Sequence, residues 1–309
     1  MTNGTEWVAV DWGTSNLRAW GIAADGSVSF AKSSADGMGK LTPDRFGAVL
    51  EQLLAPDLPD NAEAMDTLIC GMAGARQGWV EAPYLEAPAD LGGLAYGAVR
   101  PPRASALLAP RILPGVCQKR PGVEDVMRGE ETQLLGLGAL LPGFSGVTIL
   151  PGTHSKWAYL SGRRVEQFAT AMTGELYELL KTHSVLRLSL GDDDKDEDGR
   201  RAGTSTGLAL GIDSPQRLAS LLFKVRAGAL LSGRSPAWSA GFLSGLLIGA
   251  EIGGHRDWIA AGQEEIPLIG GATLSAIYAE GLAMIGARGR PVEAAEATLA
   301  GLKLARSLG

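Results

Sequence analysis

The stretch Trp7-Val8-Ala9-Val10-Asp11-Trp12-Gly13-Thr14-Ser15-Asn16-Leu17-Arg18-Ala19-Trp20 decides the fold. Trp7 to Asp11 is a short apolar run with β-branched residues that ends at a carboxylate. Gly13-Thr14-Ser15-Asn16 is a tight turn, and residues 17–22 then alternate apolar and polar as a hairpin partner does. Asp25-Gly26 turns the chain again into residues 27–32. The reading is a three-stranded antiparallel meander.

A second copy follows. Val147-Thr148-Ile149-Leu150 is the strand, Gly152-Thr153 stands where Gly13-Thr14 stood, and Lys156-Trp157-Ala158-Tyr159-Leu160 returns. Ser161-Gly162 leads into residues 164–170. Two Gly-Thr turns, each between an apolar strand and an aromatic-bearing return strand, mark an internal repeat. The repeat predicts two similar α/β domains, 1–145 and 146–309, with the connection Leu141-Pro142-Gly143-Phe144-Ser145-Gly146 as their boundary. Helices are expected over 42–54, 173–183 (capped by Thr173), 212–225, 240–251, 274–285 and 293–307, and a strand over 66–70. The charge run 192–201 reads as a solvated loop.

Composition narrows the function classes. The chain has 309 residues, 45% hydrophobic and 20% charged, with a net charge of -6. An acidic chain without a basic stripe is a poor nucleic-acid binder. Cys70 and Cys117 are far apart and in no metal-ligand spacing, which points to a reducing compartment. Residues 1–6 lack the basic and apolar regions of a signal peptide, and the apolar stretch 240–250 is too short for a membrane span of about 20 residues. The expectation is a cytoplasmic protein, monomer or homodimer, with no nucleic-acid or membrane partner.

The turns point to phosphate. Gly-Thr-Ser offers backbone N–H groups and hydroxyls with little steric cover. One turn per domain, facing each other across a cleft, would grip a polyphosphate from both sides. The expected phosphate contacts are Gly13, Thr14 and Ser15 from one turn and Gly152, Thr153 and His154 from the other. Asp11 has Leu150 as its counterpart, so only the first turn can hold Mg²⁺ through a carboxylate. Leu268-Ile269-Gly270-Gly271-Ala272 is a strand, a Gly-Gly turn and a helix start. There Gly270, Gly271 and Ala272 would let a base or ribose approach backbone. Gly37-Met38-Gly39-Lys40 lacks Walker A spacing, and no Gly-x-Gly-x-x-Gly follows a strand, which disfavours P-loop and Rossmann folds.

In this order, an Asp-x-Gly-Thr-x-Asn hairpin, a second Gly-Thr hairpin and a Gly-Gly turn resemble the sugar kinase/heat-shock 70/actin superfamily, with two ribonuclease H-like domains and an ATP cleft. Several segments are similar to one family within it, the 2-dehydro-3-deoxygalactonokinases. These are residues 10–20, Gly71-Met72-Ala73-Gly74-Ala75-Arg76-Gln77-Gly78-Trp79, Asp125-Val126-Met127-Arg128-Gly129-Glu130-Glu131-Thr132-Gln133-Leu134, Pro151-Gly152-Thr153-His154-Ser155-Lys156-Trp157, Thr173-Gly174-Glu175-Leu176 and residues 242–251. The resemblance spans nearly the whole chain and weakens over 188–203 and at the C-terminus. It implies Mg-ATP-dependent phosphorylation of 2-dehydro-3-deoxy-D-galactonate at its terminal (6-)hydroxyl, in galactonate breakdown. A kinase for another 2-keto-3-deoxy sugar acid and a phosphohydrolase of the same fold are the alternatives.

Phosphoryl transfer needs positioning, charge neutralisation and a base near the acceptor hydroxyl. Glu131 is the expected base, on a Gly129-Glu130-Glu131 pattern that resembles exopolyphosphatases of the superfamily, and Glu130 is its runner-up. A carboxylate-bearing acceptor suits a cationic fork. Arg76, with Gln77 and Trp79 beside it, is the first candidate. Arg128, Lys156 and Asn16 complete the expected substrate side, and Trp12 is a second aromatic candidate for lining it.

Overall fold

The structure is a computed structural model that describes residues 4–58, 63–102, 107–190, 195–259, 263 and 265–309. The chain forms two compact units. One holds Met1–Phe144, Leu160–Gln167 and Ala294–Gly309; the other holds Ser145–Tyr159 and Phe168–Glu293. The boundary near 145 coincides with the Pro-Gly connection. The division is more interwoven than a single cut, because two later segments join the first unit.

In chain order the strands are β1 (Thr5–Trp12), β2 (Leu17–Ala23), β3 (Val28–Ser34), β4 (Met65–Gly71), β5 (Tyr84–Glu86), β6 (Ala89–Asp90), β7 (Leu108–Ile112), β8 (Gly115–Gln118), β9 (Asp125–Met127), β10 (Ser145–Leu150), β11 (Ser155–Ser161), β12 (Arg164–Ala171), β13 (Glu265–Gly270) and β14 (Arg288–Glu293). The helices are α1 (Phe46–Leu54), α2 (Glu130–Leu140), α3 (Thr173–His183), α4 (Glu197–Asp213), α5 (Leu218–Ser232), α6 (Pro236–Gly254), α7 (Ala272–Met284) and α8 (Ala294–Leu308).

The first unit is built on a sheet of order β3-β2-β1-β4-β7. β1 pairs antiparallel with β2 and parallel with β4, which sets Asp11 opposite Arg18 on one side and Cys70 on the other. The centre of β1 is buried on both faces, so it reads as a continuous apolar run. β3, at the edge, is mostly exposed and carries Lys32, a charge that discourages edge pairing. Val8, Val10, Trp12, Phe46, Leu50 and Ile69 form the core of this unit.

In the second sheet five strands run β14-β13-β10-β11-β12, with β10, β13 and β14 parallel, and the two-residue β6 pairs antiparallel on the outside of β12. Counted from each meander, both sheets have the order third, second, first, fourth, fifth. The repeat seen in two short turns is therefore a duplication of topology.

Glycine lets helices touch backbone to backbone in both units. A Cβ at Gly136 of α2 would lie 1.9 Å from the carbonyl oxygen of Ala297 on α8. On α4, Gly203, Gly207 and Gly211 recur every fourth residue against α6; a Cβ at Gly207 would lie 2.3 Å from the Phe242 oxygen. These seams admit no side chain.

Four expected elements differ. The helix expected from residue 42 starts at Phe46, because Pro43 and Asp44 form a turn closed by the Arg45 N–H on the Thr42 oxygen at 2.9 Å. The helix expected over 212–225 is two, α4 and α5, broken at Pro215, which has no N–H to continue α4. The expected loop 192–201 is helical from Glu197. Asp196 caps α4 by accepting the Gly199 N–H at 2.7 Å, and Glu197 and Asp198 suit the positive end of the helix dipole; residues 191–194 lie outside the described ones. Thr173 opens α3 without capping it, since the N-cap residue is Met172 and the Thr173 hydroxyl is engaged elsewhere. Among the described residues no helix is long and apolar enough to cross a membrane.

Candidate active site

In the first unit the site gathers where β1 and β4 end and α2 begins. Gly71 ends β4 at φ 91° and Gly129 caps α2 at φ 109°, a backbone region that favours glycine. A Cβ at Gly129 would lie 3.3 Å from the Gly71 Cα, and one at Gly71 would lie 2.6 Å from the Trp12 oxygen. Three backbone segments are thus packed without side chains between them, and this brings Asp11, Cys70, Glu130 and Glu131 into one neighbourhood.

Asp11 accepts a hydrogen bond from Arg18 Nη2 at 2.8 Å through Oδ2, and its Oδ1 faces the Cys70 thiol at 3.9 Å. Burial raises its pKa above the ordinary aspartate value, Arg18 opposes that shift, and the charge of Glu130 adds to it. Glu131 is 0% exposed. Its Oε2 accepts the Gly129 N–H at 2.7 Å, and its Oε1 accepts from Thr132 Oγ1 at 3.2 Å. Burial, then the neighbouring Glu130 charge, push its pKa up to about 8. Glu130 is half-buried and accepts the Arg128 N–H at 3.0 Å. The Cys70 thiol is pushed well above its usual range by burial, then by Asp11 and Glu131, so it stays protonated and inert.

The first turn is held from behind. The Gly13 N–H donates to the Asn16 oxygen at 2.9 Å, while Met38 and Gly39 donate to the Gly13 and Thr14 oxygens at 3.0 and 2.9 Å. A Cβ at Gly37 would lie 2.3 Å from the Thr14 oxygen. Thr14, Ser15 and Asn16 present exposed side chains, and the N–H groups of Thr14 and Ser15 find no acceptor among the described residues.

The second turn lies in the other unit and is buttressed by α3. The Glu175 N–H donates to the Thr153 oxygen at 3.0 Å, and a Cβ at Gly174 would lie 2.6 Å from the Gly152 oxygen. Glu175 also pairs with His154 through a short hydrogen bond to Nε2. Lys156 is 4% exposed and donates from Nζ to the His154 oxygen at 3.2 Å, which braces the turn. Beside this turn is a cavity of about 390 Å³. Its lining includes Gly152, Thr153 and Gly174 on one side, Thr273, Leu274 and Tyr278 of α7 on another, and Arg200, Thr204, Gly241 and Ser244 of α4 and α6.

The expected residues are distributed as follows. Gly270 lies against the second turn, with a would-be Cβ 3.2 Å from the Pro151 oxygen, and Gly271 is the N-cap of α7. The cavity wall itself begins one residue after Ala272, at Thr273. Arg76 is 81% exposed and lies 3.7 Å from Glu81; Gln77 is exposed too. Trp79 is 7% exposed, packed edge-on to Trp12 and stacked on Phe46. Trp12 is fully buried and donates from Nε1 to the Asp36 oxygen at 2.9 Å. Arg128 lies over the Tyr84 ring at 4.3 Å and donates from Nη2 to the Ala82 oxygen at 2.8 Å, while its buried Nε and Nη1 have no acceptor among the described residues.

Sequence reasoning passed over Arg200, Thr204 and Ser244, because the wall they form belongs to helices that are contiguous only in space. A signal existed in the glycines at every fourth position of both helices, which mark a seam and hence a shared face.

The residues fit the groups that a kinase needs. Unspent N–H groups on both turns suit phosphate oxygens, and the cavity beside the second has room for a flat base. Among the described residues no set of three His, Cys, Asp or Glu is arranged to hold an ion. Magnesium held by one carboxylate, phosphates and waters requires no such set, and Asp11 is a carboxylate beside the first turn that could serve it.

Comparison with known proteins agrees with this geometry. A family model described as 2-keto-3-deoxy-galactonokinase matches residues 11–305. The probable 2-dehydro-3-deoxygalactonokinase of Rhizobium meliloti (strain 1021) is 41% identical over 306 residues, 99% of this chain and 98% of the relative. The 2-dehydro-3-deoxygalactonokinase of Escherichia coli (strain K12) is 36% identical over 280 residues, 91% of this chain and 90% of the relative. A crystal structure of a candidate 2-dehydro-3-deoxygalactonokinase from Sinorhizobium meliloti superposes with a TM-score of 0.88 at 40% identity, covering 97% of each chain. The two duplicated α/β sheets, the paired glycine turns and these matches agree: the chain belongs to the 2-keto-3-deoxy-galactonokinase family.

Proposed function

We propose that the protein transfers a phosphoryl group from ATP to the terminal (6-)hydroxyl of 2-dehydro-3-deoxy-D-galactonate, a step of D-galactonate breakdown in the cytoplasm. The observation that carries the reading is the cavity in the second unit. Its floor is a turn with unspent N–H groups at Gly152 and Thr153, and its wall is the first turn of α7. That arrangement suits a nucleotide whose phosphates rest on the turn and whose base lies against the helix. Bound Mg-ATP supplies the phosphoryl group and the cation that neutralises its charge.

The first unit supplies the acceptor chemistry. Glu131 takes the proton of the sugar hydroxyl, and the oxygen attacks the terminal phosphorus of ATP as its bond to the bridging oxygen breaks and ADP leaves. The Glu131 carboxyl, held at about 8 by burial, is a far stronger base than an ordinary glutamate. Glu130 is the more exposed member of the pair, and its charge adds to the rise that burial gives the Glu131 carboxyl. Arg128 is the better cation for the substrate carboxylate, since it holds two buried donor atoms without acceptors. Arg76, Gln77 and Asn16 contribute from the exposed rim. Asp11, kept in place by Arg18 at Oδ2, would hold Mg²⁺, which would neutralise phosphate charge. Two free, buried cysteines accord with a reducing compartment.

A coupled ADP-release assay over a panel of 2-keto-3-deoxy sugar acids tests the reading. The galactonate derivative should have the highest kcat/KM. A preference for the gluconate epimer corrects the acceptor, and ATP hydrolysis indifferent to every sugar acid refutes the kinase.

A further inference from the structure

Glu251 is a carboxylate with no part in the reaction just described, and it is 6% exposed, deep in α6. Burying a carboxylate is costly unless donors replace its water. Four do so here. Oε1 accepts from Trp157 Nε1 at 2.8 Å, and Oε2 accepts from Ser155 Oγ and Tyr278 OH, each at 2.8 Å, and from Thr173 Oγ1 in a short bond. Every one of these donors sits on an element that shapes the cavity. Ser155 and Trp157 open β11 directly after the second turn. Thr173 begins α3, whose Gly174 and Glu175 buttress that turn. Tyr278 lies on α7, and both it and Thr173 line the cavity. Trp157 is held on its other side by His255, stacked at 4.8 Å.

We infer that Glu251 is the positioning residue of the nucleotide half of the site, a buried acceptor that fixes the second phosphate turn, the start of α3 and the wall of α7 in one arrangement. This rests on the reading of the cavity as the ATP site. The chemistry supports a carboxylate in particular. An ionised carboxylate only accepts, and an indole N–H only donates, so Trp157 and the three hydroxyls can all be satisfied without competition. The Tyr278 phenol is pushed well above its usual range by burial, then by the Glu251 charge, so it remains a donor. α3 lacks a side-chain cap because its N-cap residue, Met172, carries no capping oxygen, and the adjacent Thr173 hydroxyl is given to Glu251. Among the described residues the first turn has no such hub: its anchors are the backbone N–H groups of Met38 and Gly39.

The test is steady-state kinetics of the full chain, varying Mg-ATP and 2-dehydro-3-deoxy-D-galactonate in turn, with calorimetric binding of a non-hydrolysable ATP analogue. The variants are Glu251→Gln, Thr173→Val and Tyr278→Phe. Glu251→Gln keeps the shape and should raise the KM for ATP roughly tenfold, as expected for hydrogen bonds to a charged group. The two single-donor variants should raise it by about two- to fivefold. The KM for the sugar acid should stay within about twofold in all three, because the acceptor chemistry lies in the other unit. Unchanged ATP binding, or equal rises in both KM values, overturns the inference. If Glu251→Gln does not fold, the single-donor variants decide by the same criterion. If the unaltered chain binds no ATP analogue, the reading of the cavity fails and takes the inference with it; if it binds normally and the variants do too, the inference alone fails.

Discussion

The two glycine turns are alike in sequence and in support, and unlike in what surrounds them. Each follows a buried strand, presents unspent N–H groups and is backed by a glycine that allows no Cβ, Gly37 for the first and Gly174 for the second. Behind the first stand Asp11, Glu130 and Glu131, one of them a carboxyl raised to about 8. Beside the second, Leu150 replaces the aspartate and a cavity opens between helices that meet through glycine. On the proposed reading a duplicated turn serves two tasks. The turn itself offers donors for phosphate, and the residues outside it decide whether charge or shape is added.

The division of labour can be broken at its strongest point. Glu131→Gln should lower kcat by roughly 10²–10⁴-fold, the usual range for a general base, with ATP-analogue affinity unchanged by calorimetry. Near-normal turnover in that variant together with loss in Glu130→Gln would hand the role to Glu130. Next in size is the comparison of the two buttresses. Gly174→Val would collide with the Gly152 oxygen and should weaken ATP-analogue binding more than about tenfold, whereas Gly37→Val should lower kcat and weaken that affinity less. Equal effects of the two on binding would erase the distinction.

The pH dependence sharpens the same contrast. With Glu131 as base, kcat/KM should rise with pH through about 8, and Glu130→Gln should move that limb to lower pH by removing the charge that raises it. Stability runs the other way. The folded value lies above the ordinary 4.5, so the contribution of Glu131 is fully present below 4.5 and is lost as pH rises to about 8. Urea denaturation at pH 5 and pH 8 should show that loss, and Glu131→Gln should flatten it. The smallest effect belongs to the rim. Arg76→Ala removes an exposed ion pair and should leave the thermal midpoint unchanged, with a smaller rise in sugar-acid KM than Arg128→Ala.

Much of this was legible along the chain. Alternation and turn residues placed the meander strands to within two residues, because a strand and its hairpin partner are neighbours in sequence. Gly13-Thr14 and Gly152-Thr153 were legible for the same reason. Helix ends were less so: Pro215 was passed over inside an otherwise helical pattern, and the acidic run before α4 read as loop although Asp196 is its cap. Trp79 and Arg76 stand three residues apart, yet one is in the core and the other in solvent. A glycine-rich turn has no period from which facing could be read.

By itself the sequence determined the duplication, the two Gly-Thr turns and the asymmetry between Asp11 and Leu150, all of which are local in the chain. Only the tertiary structure decided that Arg128 keeps buried donors to spare, that burial makes Glu131 a strong base, and that Glu251 gathers four donors from three elements. Those are consequences of desolvation and of contacts between distant segments. A residue's environment is set by what packs on it, and that is not written beside it in the chain.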